Sequence, residues 1–152
     1  WMLLVFMIFS KEVWNALREA IVHAGFTNRK IDIFDKQHGT FKQFASENTA
    51  GSDLVLHCFK PHDSLAPSAF NHTAAADSVR AFLGRYGNDL PTQVYLHVGR
   101  ASEIDYRILY SEWLSNSLMD HSELVDFAEF RRITQHILVE LPPNNNHKLQ
   151  QD

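Results

Sequence analysis

Apolar and polar positions alternate along this chain in a way that divides it into short elements. The opening run WMLLVFMIF is apolar at nine consecutive positions before Ser10-Lys11. As a helix it would span only about 13–14 Å, against a bilayer core of about 30 Å, so it is too short to cross a membrane. It also lacks the basic start and small-residue cleavage site of a secretory leader. A continuous apolar run of this length reads as a fully buried strand. Such a strand needs neighbours on both sides, so the sheet is expected to be incomplete and the chain to begin in the middle of a fold.

Ser10 suits a helix N-cap. Val13, Trp14, Leu17, Ala20, Ile21 and Ala24 then recur at helical spacing. Gly25 fits the left-handed residue that ends such a helix, and Phe26 the apolar residue that folds back onto it. This predicts a helix over 11–24. Strands follow over 29–34 (RKIDIF) and 53–59 (DLVLHCF), the latter stopped by Lys60-Pro61. They read as a hairpin whose tip is the long segment 35–52. The first strand, the helix and the second strand form a βαβ unit, which favours a parallel pair. Beyond Pro61 periodicity stops, and PHDSLAPSAFNHTAA reads as a linker. Helices are predicted over 76–86, 105–118 and 127–141, with a short strand over 93–98. Pro142-Pro143 ends the last helix, and a polar tail closes the chain. The expected organisation is an α/β unit over 1–60, a linker over 61–75, a mainly helical region over 76–143 and a frayed tail over 144–152.

Composition changes this picture little. The chain has 152 residues, 45% hydrophobic and 21% charged, with a net charge of −4. Those values are ordinary for a globular protein and exclude a collagen-like or wholly disordered chain. The single Cys58 allows no internal disulfide, so a reducing, cytoplasmic compartment is expected. The mild acidity excludes an all-over nucleic-acid coat but leaves room for a local basic patch.

Candidate chemistry is sparse. The nine His form no H-E-x-x-H motif and no Cys pair accompanies them, so no metal site is expected. His57 and His62 flank Cys58 and read as surface or satisfied core residues. No G-x-G-x-x-G, Walker or G-x-S-x-G motif occurs. Seven acids between Glu103 and Glu129 accompany one Arg and read as a solvated helical face. The segment after the second strand stands out. Residues 28–43 carry four cations (Arg29, Lys30, Lys36, Lys42) and two acids (Asp32, Asp35), a local excess of +2 in an acidic chain. Lys and Gln can hold phosphates and read base edges, and Phe41 can stack a base, whereas the plainer alternative is a solvated hairpin tip.

WMLLVF, SKEVWNALREAIVHAGF, IDIFDKQHGTFKQ and SDLVLHCFKP together resemble SAM-dependent, adenine-specific DNA methyltransferases of restriction–modification and phage defence. The shared features are a buried strand near a V-W-N-A-L helix and a D-K-x-x-G-[ST]-F-K-Q loop. The loop corresponds here to Asp35, Lys36, Gly39, Thr40, Phe41, Lys42 and Gln43. The likeness covers about residues 1–61 and extends loosely to a helical C-terminal extension.

The resemblance implies a fold. These sixty residues would be the end of a Rossmann-like methyltransferase sheet: its fifth strand, a helix, and the sixth and seventh strands as an antiparallel hairpin. The family's glycine-rich SAM loop and Asp-Pro-Pro-[Tyr/Phe] tetrapeptide lie upstream of this region, and neither occurs here. The chain is therefore expected to be a C-terminal fragment that is inactive alone, with S-adenosylmethionine serving only the full-length parent. In open α/β sheets ligands bind beyond the carboxyl ends of the strands. This sets Lys36, Gln37, Gly39, Thr40, Phe41, Lys42 and Gln43 on the DNA-facing rim, with Met7–Phe9 beside them. One departure is that Met7 and Ile8 stand where the family carries a polar pair, and apolar side chains cannot orient a substrate by hydrogen bonds.

The implied reaction is methyl transfer to an exocyclic amine of a DNA base, adenine N6, after the base is extruded from the duplex. DNA and the missing N-terminal half of the domain are the expected partners. Self-association through the open sheet edge is expected where that half is absent. The same features fit a non-catalytic α/β protein-interaction module, or an RNA methyltransferase built on the same sheet.

Overall fold

The structure is a computed structural model that describes residues 1–6, 10–35, 52–61, 73–86, 90, 95–98 and 101–140. It is an α/β arrangement. In chain order the elements are β1 (Met2–Phe6), α1 (Lys11–His23), β2 (Thr27–Asp35), β3 (Ser52–Phe59), α2 (Ala75–Gly84), β4 (Tyr95–Val98), β5 (Ala101–Ile104), α3 (Tyr106–Met119) and α4 (Phe127–Glu140).

The first three strands form one sheet in the order β1-β3-β2, with both pairings antiparallel. The expected β2/β3 hairpin is present. The expected direct βαβ pairing is not: β1 and β2 run in the same direction, but β3 lies between them. β1 is consequently an edge strand of the described sheet rather than a strand with neighbours on both sides. Leu3 and Val5 are 60% and 57% exposed, whereas Met2, Leu4 and Phe6 pack against the core. The period-2 alternation of a strand puts one half of the apolar run on the covered face and the other half on an open one.

Helix α1 begins and ends close to expectation. Ser10 occupies the cap position with extended backbone, but its hydroxyl bonds the Glu12 carboxylate instead of a backbone N–H. At the other end Gly25 adopts φ +74°. Phe26 N–H donates to Ile21 O and Gly25 N–H to Val22 O, each at 2.9 Å, which closes the helix as a Schellman motif. Trp14, Arg18 and Ile21 form the buried stripe of the helix.

The helices after residue 73 share one core with the sheet. Helix α3 lies against β2 and β3 and packs on α4, and α2 packs on both of these helices. Its buried residues are Leu109, Tyr110, Ser111, Trp113, Leu114, Ser117 and Leu118, so α3 is covered on most of its circumference. Tyr110, Trp113 and Phe130 form an aromatic cluster in this core, with ring centroids 5.2–5.8 Å apart. The Tyr110 hydroxyl donates to Val125 O at 3.0 Å, and burial raises its phenol pKa. A two-stranded antiparallel ribbon, β4-β5, precedes α3. No described helix is long and apolar enough to cross a membrane.

Candidate functional site

The strand ends define one rim. Phe6, near the end of β1, pairs with Leu54 at the start of β3, and Leu54 pairs in turn with Ile33 of β2. Two residues further on, Asp35 pairs with Ser52. The carboxyl ends of β1 and β2 therefore sit at the same end of the sheet, separated only by the incoming β3. The segments 7–9 and 36–51 leave from that end. The predicted site residues Lys36, Gln37, Gly39, Thr40, Phe41, Lys42 and Gln43 lie outside the described residues, as do Met7 and Ile8. The described structure supplies the two anchors of the loop, Asp35 and Ser52.

Register also sorts the side chains between the two faces. Met2, Leu4 and Phe6, with Cys58, Leu56 and Leu54, and Asn28, Ile31 and Ile33, share the face that the helices cover. The Cys58 thiol is fully buried there, donates to Asn28 Oδ1 at 3.2 Å and is pushed up in pKa by burial. It is a packing residue and not an activated nucleophile.

The opposite face is open and divided. Its β1 side is apolar, with Trp1, Leu3, Val5 and Val55. Its β2 side carries a cross-strand cluster. The Asp32 carboxylate lies 2.6 Å from Lys30 Nζ and 2.8 Å from His57 Nε2. The Lys30 contact, followed by the weaker pull of His57, holds Asp32 below its usual carboxylate range. His57 thus has a satisfied surface role, as its sequence context indicates. Nearer the opposite end of the sheet, Trp1 lies 6.0 Å from the Phe59 ring and carries the Arg29 guanidinium at 5.5 Å. The Lys30–Asp32–His57 cluster is not apparent in the sequence, because it depends on a register that shifts at a bulge between Asn28 and Lys30.

The acids between 103 and 129 are expected to form a solvated helical face. In the structure they do more than face solvent. Asp105 caps α3 by accepting from Arg107 N–H at 3.0 Å, and Asp126 caps α4 by accepting from Glu129 N–H at 2.9 Å. Glu112 accepts from the Tyr86 hydroxyl, Glu123 accepts from Ala75 N–H, and Glu129 pairs with Arg132. Burial and the Glu112 contact raise the Tyr86 phenol pKa. No group of three or more His, Cys, Asp or Glu residues able to hold a metal ion occurs among the described residues.

No protein-family model matches the chain, and neither a curated protein nor a solved structure matches it.

Proposed function

We propose that the chain forms the C-terminal end of the catalytic domain of a SAM-dependent DNA methyltransferase that acts on adenine N6. The observation that carries this reading is the sheet topology joined to one motif. Two strands run in the same direction around a connecting helix, the second continues into an antiparallel hairpin, and both point their carboxyl ends at one rim. The D-K-x-x-G-T-F-K-Q segment begins at Asp35, at that same rim. Ligands of open α/β sheets bind beyond such ends. In this role Lys36 and Lys42 contact DNA phosphates, Gln37 and Gln43 approach base edges, and Phe41 offers a stacking face.

The described residues do not fit a SAM site. They contain no glycine-rich turn and no acid–aromatic tetrapeptide, and the strands at the rim end in Phe6 and Asp35. No step of methyl transfer is therefore assigned to them. Their contribution is the sheet that positions the rim and the helical layer that supports the sheet.

The test is methyl transfer from tritiated S-adenosylmethionine to duplex DNA by the complete gene product, with the modified base identified by nucleoside mass spectrometry. Labelled 6-methyladenine supports the reading, and DNA that stays unlabelled overturns it. In the same protein Lys42→Ala is expected to weaken DNA binding and to lower the salt slope by about one. An unchanged slope removes the loop from the DNA interface. The open apolar side of the sheet favours a second reading, a non-catalytic interaction module. That reading predicts partner binding with no transferred label.

A further inference from the structure

Helix α1 is held to the helical layer by a buried charge. Arg18 stands on its buried stripe, and the guanidinium donates to Ser122 O at 2.8 Å and to Asn15 Oδ1 at 2.9 Å. Ser122, itself buried, lies in the turn after α3. His121 precedes it there with φ +54°, and its Nδ1 is closed off from solvent. The carbonyl that receives the guanidinium is therefore adjacent in sequence to an imidazole able to become a second cation. The charged groups acting on that imidazole are Arg18, from α1, and Asp120, from its own turn. Glu19 of α1 acts on Arg18 instead. The two acids that follow in the chain are engaged elsewhere: Glu123 accepts from Ala75 N–H of α2, and Asp126 accepts from Glu129 N–H of α4. Asp120 thus opposes the charge that His121 gains on protonation, whereas burial and Arg18 penalise it.

We propose that the Arg18–Ser122 contact is a pH-sensitive latch: protonation of His121 releases α1 from the turn after α3 while the helical core stays folded. Burial first, and the Arg18 charge second, hold the latched imidazole below its ordinary value of 6.5, and a released turn returns it to that value. The released form therefore takes up the proton first. Release grows more favourable as the pH falls from 6.5 through the latched value. The core does not share this dependence. Leu109, Trp113 and Phe130 are fully buried and carry no titratable group, and burial raises the Tyr110 phenol away from this range. Helix α1 connects β1 to β2, so its release acts on the two strands that end at the rim.

The latch involves no methyl transfer and is independent of the methyltransferase reading. Its test is amide exchange of the 152-residue chain at about pH 7.5 and at about pH 5, corrected for the intrinsic pH dependence of exchange. Residues 14–21 and 120–123 should open severalfold more readily at the lower pH, while residues 109–114 keep their protection. His121→Asn removes the titrating group and supplies a residue that tolerates left-handed backbone. It should abolish the difference. An equal rise in every segment overturns the proposal, because it reports global destabilisation and no local release. So does a wild type whose opening is independent of pH, or an Asn variant that opens as the wild type does. Should the variant fail to fold, the ring-proton NMR titration of His121 in the wild type decides. A midpoint below 6.5 supports the latch, and a midpoint at or above it overturns the latch.

Discussion

Arg18 is the most informative single position for the link between the sheet-bearing part of the chain and its helical layer. It sits on the buried stripe of α1 at 9% exposure. Its guanidinium donates to Ser122 O at 2.8 Å and to Asn15 Oδ1 at 2.9 Å. Ser122 belongs to the turn after α3, where His121 adopts φ +54° and Ser122 N–H closes back on Ser117 O at 3.0 Å. One cation thus ties α1 to a left-handed turn more than a hundred residues away. Burial holds the guanidinium below its usual pKa range. A hydrogen bond from a charged group contributes about 1.5–3 kcal/mol, and part of that is offset by the cost of desolvating the charge. Arg18→Met keeps most of the stem volume and removes the bonds. It should cost about 1–2 kcal/mol, or about 3–6 °C in melting temperature for a chain of this length. Arg18→Ala also removes the packed stem and should cost about twice as much.

The same contact has a pH signature. His121 titrates below its ordinary value of 6.5, first because of burial and second because of the Arg18 charge, with Asp120 acting the other way. An imidazole whose folded pKa is depressed favours the folded state above its unfolded pKa. That contribution is lost as the pH falls from 6.5 through the folded value, because the unfolded chain takes up the proton first. Removing the Arg18 charge moves the folded value back toward the unfolded one and shallows this loss. The melting-temperature gap between wild type and Arg18→Met should therefore be wider at about pH 7.5 than at about pH 5. Differential scanning calorimetry at both pH values checks this. An Arg18→Met protein that melts at or above the wild-type temperature would refute the anchor. A gap independent of pH would refute the coupling to His121.

Two further substitutions probe the closure of α1 and the core. Gly25→Ala forces a Cβ into φ +74°, whereas the nearest atom it would meet, Lys60 Cε at 3.3 Å, lies on a flexible side chain that can move. Its cost should therefore be conformational, about 1 kcal/mol in urea unfolding, with Gly25→Asn closer to wild type. Trp113→Ala empties a fully buried site between Tyr110 and Phe130 and leaves the Ser78 hydroxyl without its indole partner at 3.1 Å. It should cost about 3–5 kcal/mol, read as a shift in the urea midpoint with the slope unchanged.

Local pattern carried much of the secondary structure, because each clear element has a short-range cause. The stripe from Val13 to Ala24 and the Gly25-Phe26 closure depend only on residues within two turns of one another, and α1 ends where they indicate. Helices α2, α3 and α4 likewise fall within two residues of their predicted limits. The departures arise where the cause is distant. A nine-residue apolar run carries no information about which of its faces is covered, so β1 read as buried on both sides although Leu3 and Val5 are open. The βαβ spacing indicates that β1 and β2 run the same way, but the insertion of β3 between them is a matter of sheet order, which no local spacing encodes. Strand β5 is not legible in the sequence, because ASEI has neither an apolar run nor a turn signal, and pairing with β4 defines it.

The acids after Glu103 show how the two kinds of cause combine. Asp105 and Asp126 each stand immediately before a helical stretch, where a carboxylate accepts orphan N–H groups, so their capping roles are local and open to reading. Glu112 and Glu123 are different. One meets Tyr86 and the other the first residue of α2, partners 26 and 48 positions away. The same division governs the sheet. The rim can be located from strand direction alone, since β1 and β2 run the same way and both must end where the D-K-x-x-G-T-F-K-Q segment begins. The Lys30–Asp32–His57 cluster needs a register that is offset at the bulge. That bulge and the charges around it set β2 apart from β1, whose sequence MLLVF has neither.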